Sequence, residues 1–200
     1  MNEKFFDLKK EKQDRMINAS LKMFAENGFE RASTDDIVKE AGISKGLLFH
    51  YFISKQGLYE FLFDYSTKFM TLETGSLVSS KETDYFLIYK QITNARAQIM
   101  RNYPYMYLFL VSALKEKGDN LNVEIMQKIS DYRLTVEGYF SNVKWNVEHM
   151  KYDHKKIMAI SEFTLQGLLE KEVSQGTFEV EQYVKEAMEY IDLLRTMSIH

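Results

Sequence analysis

EAGISKGLLFHYFISK, residues 40–55, crowds leucine, phenylalanine and tyrosine into a helix too short to bury them all against one core. Ser44 can cap this helix, and Ser54 followed by Lys55 can cap the next, which leaves about two turns between them. At a helical period Leu48, Tyr51 and Phe52 share one face, while Lys45, Gly46, Leu47, Phe49 and His50 spread over the others. One face suits a core; the rest calls for an outside partner. Just upstream, Ser33 and Asp36 stand at capping-box spacing, with Asp for the usual Glu, and open a helix that carries Ile37, Val38 and Ala41 and ends at Gly42. A helix, a glycine-containing turn and a second short helix form a helix-turn-helix, whose second helix enters the major groove of DNA while the first crosses the backbone. Ala41 lets the two helices approach, Gly42 can take the positive φ of the turn, and Ile43 can fill the space between them. Gly46 costs a helix up to about 1 kcal/mol against Ala, so close approach of a phosphate or base edge is the expected gain.

Outward from this unit the chain reads as all-α. One Pro and nine Gly in 200 residues, among many Leu, Met, Lys, Glu and Gln, is a helix-former's composition, and no alternating strand pattern is present. Residues 8–27 carry the stripe Met16, Ile17, Leu21 and Phe24 and stop at Asn27-Gly28, a good C-cap pair. Helices are expected at 34–41, 45–52 and 56–72, then at 84–102, 104–117, 120–145, 153–174 and 179–197, nine in all, with a soft polar stretch at 74–83. The charged start MNEKFFDLKKEKQDR reads as a solvated helix beginning.

The formal net charge of -3 argues against binding polyanions by bulk charge, so any DNA contact must be local. Residues 1–60 hold ten basic and ten acidic side chains, and the deficit lies wholly in the later part. The absence of Cys removes disulfides, thiolate metal sites and a cysteine nucleophile, as suits a reducing cytoplasm. The longest apolar run, MYLFLVSAL at 106–114, is far short of the roughly 20 residues that span a bilayer. No apolar leader core is found, so a cytoplasmic protein without a membrane partner is expected.

GFERASTDDIVKEAGISKGLLFHYFISKQGLY resembles the N-terminal DNA-binding domain of TetR-family transcriptional regulators, most specifically in AGISKG, HYF and SK followed by a leucine, in register with a first helix ending at NGF. The resemblance covers about the first quarter of the chain. It implies a helix-turn-helix DNA-binding domain, placed at 1–55, on a helical ligand-binding and dimerisation domain at 56–200. Such proteins are usually repressors released from a double-stranded DNA operator by a small molecule. Carried over by position, Ser33 and Thr34 meet phosphate at the start of the second helix. Ser44, Lys45, Gly46, Leu47, Phe49 and His50 face the groove, with Tyr51 at its margin and Lys55 reaching phosphate. Leu47 replaces a small polar residue and Phe49 a Tyr, so apolar side chains there would read thymine methyl groups.

The larger domain is rich in Tyr, Phe and Met, which suits an aromatic-lined pocket for a small apolar or aromatic ligand. Arg96, Tyr103, Tyr107, Tyr132, Phe163 and Gln166 are its candidate contacts. Ile157, Ile160, Phe163, Leu165, Leu168 and Leu169, with Tyr183, Val184, Ala187, Met188, Ile191 and Leu194, form an apolar seam along the last two helices. That seam can close the domain or pair with its copy, and the resemblance implies the second, a two-fold homodimer through the last two helices. No G-x-S-x-G elbow, Gly-rich phosphate loop or metal-binding spacing is found, so neither an enzyme nor a cofactor or metal site is expected. The rival reading is a helical ligand carrier or interaction protein that does not bind DNA.

Overall fold

The computed structural model of the chain describes residues 3–116, 123–174 and 178–200. Among them are nine α-helices: α1 Lys10–Arg31, α2 Thr34–Ala41, α3 Lys45–Phe52, α4 Lys55–Leu77, α5 Tyr85–Asn102, α6 Met106–Lys115, α7 Val123–Gly138, α8 His154–Ser174 and α9 Val180–Ser198. Short 3-10 turns lie at Glu3–Asp7 and Val147–His149, and the described residues form no strand beyond an isolated antiparallel bridge between Met150 and Ile199. The expected all-α class and the placing of the helices match the sequence reading, with boundaries differing most at α4 and α7. No helix among the described residues is long and apolar enough to cross a membrane.

Packing divides the chain into two compact units, one of residues 1–71 with 103–134 and one of 72–102 with 135–200. This grouping differs from the division at 55/56 expected on function. In the first unit Met16, Ile17, Leu21 and Phe24 of α1 are buried against α6, where Met106, Phe109, Leu110 and Ala113 face them. Tyr59 of α4 sits between, its ring 5.1 Å from Phe24 and 5.1 Å from Phe109, and burial raises its hydroxyl pKa. The expected stop at Asn27-Gly28 is a kink: Gly28 takes φ 70 and ψ 176, and the helix resumes to Arg31. The N–H that this break releases at Phe29 donates to Glu116 Oε1 at 2.7 Å. A Cβ on Gly28 would lie 2.9 Å from that same oxygen, so both the conformation and the space demand glycine.

Two expectations from the sequence pattern fail, one in each unit, for tertiary reasons. Phe5, within the charged N-terminal run, is fully buried. Its ring packs 5.7 Å from Tyr51, 5.1 Å from Phe52 and 5.4 Å from Phe61, so this turn backs α3 instead of starting a solvated helix. The helix expected over 120–145 ends at Gly138; residues 120–122 lie outside the described residues. Beyond Gly138 the backbone tightens into three-residue bonds, and Phe140 and Trp145 turn in to pack 5.2 and 5.0 Å from Tyr85.

The second unit is built on α5 against α9 and α8 against α9. Asp84 caps α5 by accepting from Phe86 N and Leu87 N at 2.9 and 3.0 Å, and its other oxygen accepts from Arg195 at 2.6 Å. Of the apolar seam foreseen on the last two helices, Ile157, Leu165, Leu168 and Leu169 of α8 and Tyr183, Ala187 and Ile191 of α9 are buried within the unit, Val184, Met188 and Leu194 are half-exposed, and Ile160 and Phe163 of α8 are exposed. Tyr190, Leu193 and Met197 of α9, which the sequence reading did not include, are exposed as well.

Candidate nucleic-acid interface

Capping chemistry places α2 and α3. Ser33 Oγ accepts from Asp36 N at 3.3 Å, and Asp35 and Asp36 in the first turn suit the positive end of the helix dipole. The helix ends at Gly42, φ 63 and ψ 43, whose N–H and that of Ile43 return to the Lys39 and Val38 carbonyls at 3.2 and 3.0 Å. Ser44 Oγ then accepts from Leu47 N at 3.2 Å and starts α3. The turn is as the sequence predicts.

α3 has two faces. Its back is fixed, with Leu48, Tyr51 and Phe52 buried and Ile37 of α2 fully buried. Its front is open: Lys45, Gly46 and His50 are exposed, and Leu47 and Phe49 are half-exposed. A Cβ added to Gly46 would meet nothing within 4 Å, so no internal packing explains this glycine. Tyr51, expected at the groove margin, is instead turned inward; Phe5, hidden in a run of charges, supplies the ring that receives it.

The two lysines of the interface are both held. Lys45 Nζ lies 2.9 Å from Asp35 Oδ1. Lys55 Nζ donates to the Glu30 carbonyl at 2.9 Å and stands 4.9 Å from the centre of the Phe29 ring, a cation–π contact. Lys22 pairs with Glu40 at 3.0 Å nearby, and this hydrogen bond raises its pKa. Acids and bases thus interleave around the front of α3, and the local charge is no more than balanced.

Between α3 and α4 only Ile53 and Ser54 remain. Ile53 takes φ 68 and ψ -48, the one positive φ among the described non-glycine residues. Ser54 N donates to Phe52 O at 2.7 Å, which makes this a γ-turn of the rare positive-φ kind. A β-branched residue held there stores about 1–3 kcal/mol of strain. Ser54 Oγ in turn accepts from Gly57 N at 3.0 Å and caps α4. Neither Ile53 nor Gly57 drew notice in the sequence; the only signal was that two residues must join two helices.

Residues 16–62 match the bacterial regulatory proteins of the tetR family. Over residues 16–62 the chain is a TetR-family DNA-binding region. It is 50% identical over 44 residues to the HTH-type transcriptional regulator UidR of Escherichia coli, a match that covers 22% of each chain. It is 26% identical over 117 residues to IcaR, the HTH-type negative transcriptional regulator of the icaADBC biofilm operon in Staphylococcus aureus, covering 56% of this chain and 61% of that one. The chain therefore spans less than two thirds of the length of either curated relative. A TetR-family regulator from Chloroflexus aurantiacus shares the fold throughout, with a TM-score of 0.64 at 21% identity over 100% of this chain and 98% of the other.

The ligand candidates fall in both units. Tyr103, Tyr107 and Tyr132 lie in the first. The Tyr103 hydroxyl donates to Asp14 Oδ1 at 2.9 Å, accepts from Lys10 Nζ at 3.0 Å and lies in hydrogen-bond contact with the Tyr65 hydroxyl at 3.1 Å; burial raises its pKa. Tyr132 is buried on α7 and Tyr107 half-buried on α6. In the second unit Arg96 is buried on α5, only 8% exposed, and its charge acts on the Tyr139 hydroxyl, whose pKa burial raises and Arg96 and a bond from Thr74 lower. Phe163, expected against a ligand, stands 71% exposed on α8, and Gln166 Nε2 donates to Glu170 Oε1 one turn along the same helix at 2.9 Å.

Proposed function

We propose that the chain is a DNA-binding transcriptional regulator that grips an operator as a two-fold homodimer, acts as a repressor, and lets go when a small apolar or aromatic ligand binds. The observation that carries this is the unused front of α3. A helical glycine with open space above it loses stability against Ala for no internal return, and it is flanked by exposed Lys45 and His50 and half-exposed Leu47 and Phe49. A duplex supplies the missing partner: base edges approach at Gly46, thymine methyls meet Leu47 and Phe49, and phosphates meet Ser33, Thr34, Lys45 and Lys55. All of these residues fall within 1–55, while the exposed seam and most ligand candidates lie beyond, which supports a functional boundary at 55/56.

The remaining parts follow the same logic. Exposed apolar rows on α8 and α9 suit a copy of the same helices across a two-fold axis. Arg96 beside Tyr139 and Thr74 suits the polar end of a ligand whose body meets aromatic side chains such as Tyr85, Tyr89 and Phe140. IcaR's description as a negative regulator favours repression. A regulator of this kind works where the chromosome is, in the cytoplasm.

The test is binding to a duplex enriched from a randomised pool on the wild-type chain, across a salt series. Wild type binds with an affinity that falls steeply as salt rises. K45A/H50A/K55A binds about 10- to 100-fold more weakly with a flatter slope and melts a few degrees lower at most, since Lys45 and His50 are exposed and half-exposed Lys55 loses one backbone hydrogen bond and its contact with Phe29. Full-strength binding by this variant sinks the assignment of α3, and a chain that enriches no duplex is a carrier.

The Lys45–Asp35 pair gives a second, opposite expectation. Both groups are largely exposed, so the pair contributes well under about 1 kcal/mol to stability. In front of a phosphate, however, Asp35 competes for the ammonium and adds like-charge repulsion. Asp35→Asn is expected to bind the same duplex about 3- to 10-fold more tightly at low salt, and unrelated duplexes more tightly by as much, because the gain is with phosphate and not with bases. Unchanged or weaker binding means that Lys45 does not reach phosphate.

A further inference from the structure

Ile53 is an anomaly that the recognition of bases does not account for. Its backbone sits where glycine rests without cost and an L residue with a side chain does not. Strain of this kind persists when the side chain returns something, and in the folded chain it returns little, since Ile53 is 76% exposed. Its place is informative. It follows Gly46, Phe49 and His50 at the three- and four-residue spacing of the front of α3, and it precedes Lys55 by two. The turn is also rigid, pinned on one side by the Ile53 N–H on Phe49 O at 3.0 Å and on the other by Ser54 N on Phe52 O at 2.7 Å. The backbone thereby holds an aliphatic group out in solvent at the C-terminal end of α3.

We propose that Ile53 is itself a DNA-contacting residue: its side chain packs on the deoxyribose rings of the strand bordering the groove, and the strained γ-turn is what presents it there. This rests on the DNA-binding reading above. The contact is apolar and sequence-independent, and it fixes how deep the C-terminal end of α3 can settle, a positioning task separate from the charge that Lys45 and Lys55 bring to phosphate. Because no counterion is displaced by an aliphatic contact, it contributes affinity without adding to the salt dependence.

Ile53→Gly accepts the turn's backbone and deletes the contact, while Ile53→Leu and Ile53→Val keep an aliphatic side chain. The glycine variant is expected to melt about 2–6 °C higher than wild type and to bind the enriched duplex about 5- to 10-fold more weakly, with the slope of affinity against salt unchanged. Leu and Val are expected to bind within about twofold of wild type. If Ile53→Gly raises the melting temperature and binds as wild type does, the side chain touches nothing and the proposal falls while the DNA-binding reading stands. A slope flatter by about one phosphate contact in Ile53→Gly also overturns it, since the residue then acts only by placing Lys55. Failure of the wild-type chain to enrich any duplex removes both readings together.

Discussion

Gly57→Ala is expected to destabilise the chain by about 2–3 kcal/mol, although alanine is the better helix former by about 1 kcal/mol. Gly57 lies in the first turn of α4, and a Cβ there would fall on the carbonyl oxygen of Phe52, inside any real contact distance, with Ser54 Oγ at 3.5 Å beyond it. That oxygen cannot step aside. It accepts the short bond from Ser54 N that closes the γ-turn, and Phe52 itself is buried against Phe5 and Phe61. Nor can α4 withdraw, because Leu58, Tyr59, Leu62 and Phe63 are all buried. The clash is therefore backbone against Cβ between two anchored helices, and relief comes only by unpacking one of them. Urea unfolding followed by far-UV circular dichroism checks this, with a lower midpoint at an unchanged slope as the expected result. Gly46→Ala and Gly75→Ala, where an added Cβ meets nothing within 4 Å, are the controls and are expected to be neutral or mildly stabilising. A Gly57→Ala chain as stable as these controls shows that the junction yields, and with it goes the rigidity on which the role of Ile53 depends.

The junction also marks where reading the sequence succeeds and where it stops. Ser33, Gly42 and Ser44 announce themselves because a cap or a left-handed turn is written in one residue and its next few neighbours, and each has the geometry expected of it. Leu48 and Phe52 fall on the core side by helical period alone. Phe5 is invisible by that route: its burial is decided by Phe61 and Phe52, about fifty residues away, and no periodic pattern links them. The end of α7 at Gly138 is set likewise by Tyr85 receiving Phe140 and Trp145, against a local pattern that favours more helix. The kink at Gly28 was legible as a break, though not as one that Glu116 holds open from the far side of α6. In the interface, the exposed set Lys45, Gly46 and His50 and the core side of Tyr51 were legible by period, whereas the ring of Phe5 that receives Tyr51 and the tethers of both lysines were not, since each depends on what another segment offers.

The seam on the last two helices carries the second large effect. Periodicity alone left it open whether these apolar residues close the unit or pair with a copy; they do the first with one row, and the other row is free among the described residues. On α8 the row runs Ile160, Phe163 and then Gly167, at which an added Cβ meets nothing within 4 Å; on α9 it runs Tyr190, Leu193 and Met197. A small residue beside large ones is what lets two helices cross closely. Phe163→Asp with Leu193→Asp is expected to leave the fold alone, because both side chains are already in water, exposed by 71% and 53%. Across a two-fold axis the same change places four carboxylates in an apolar interface, at a cost of several kcal/mol each unless they are rehydrated. The variant is thus expected to sediment as a monomer at concentrations where wild type is a dimer, and to melt within a few degrees of a monomer's value. Its affinity for the enriched duplex should fall by about 10²- to 10³-fold, since one short recognition helix meets half a site, and a dimer's second half-site multiplies the affinity of the first. Fusing the variant to an unrelated dimerising coiled coil with a long flexible linker should restore part of that loss. A double variant that still sediments as a dimer and binds as tightly as wild type means that the two copies meet elsewhere, and the exposed rows of α8 and α9 then lose their explanation.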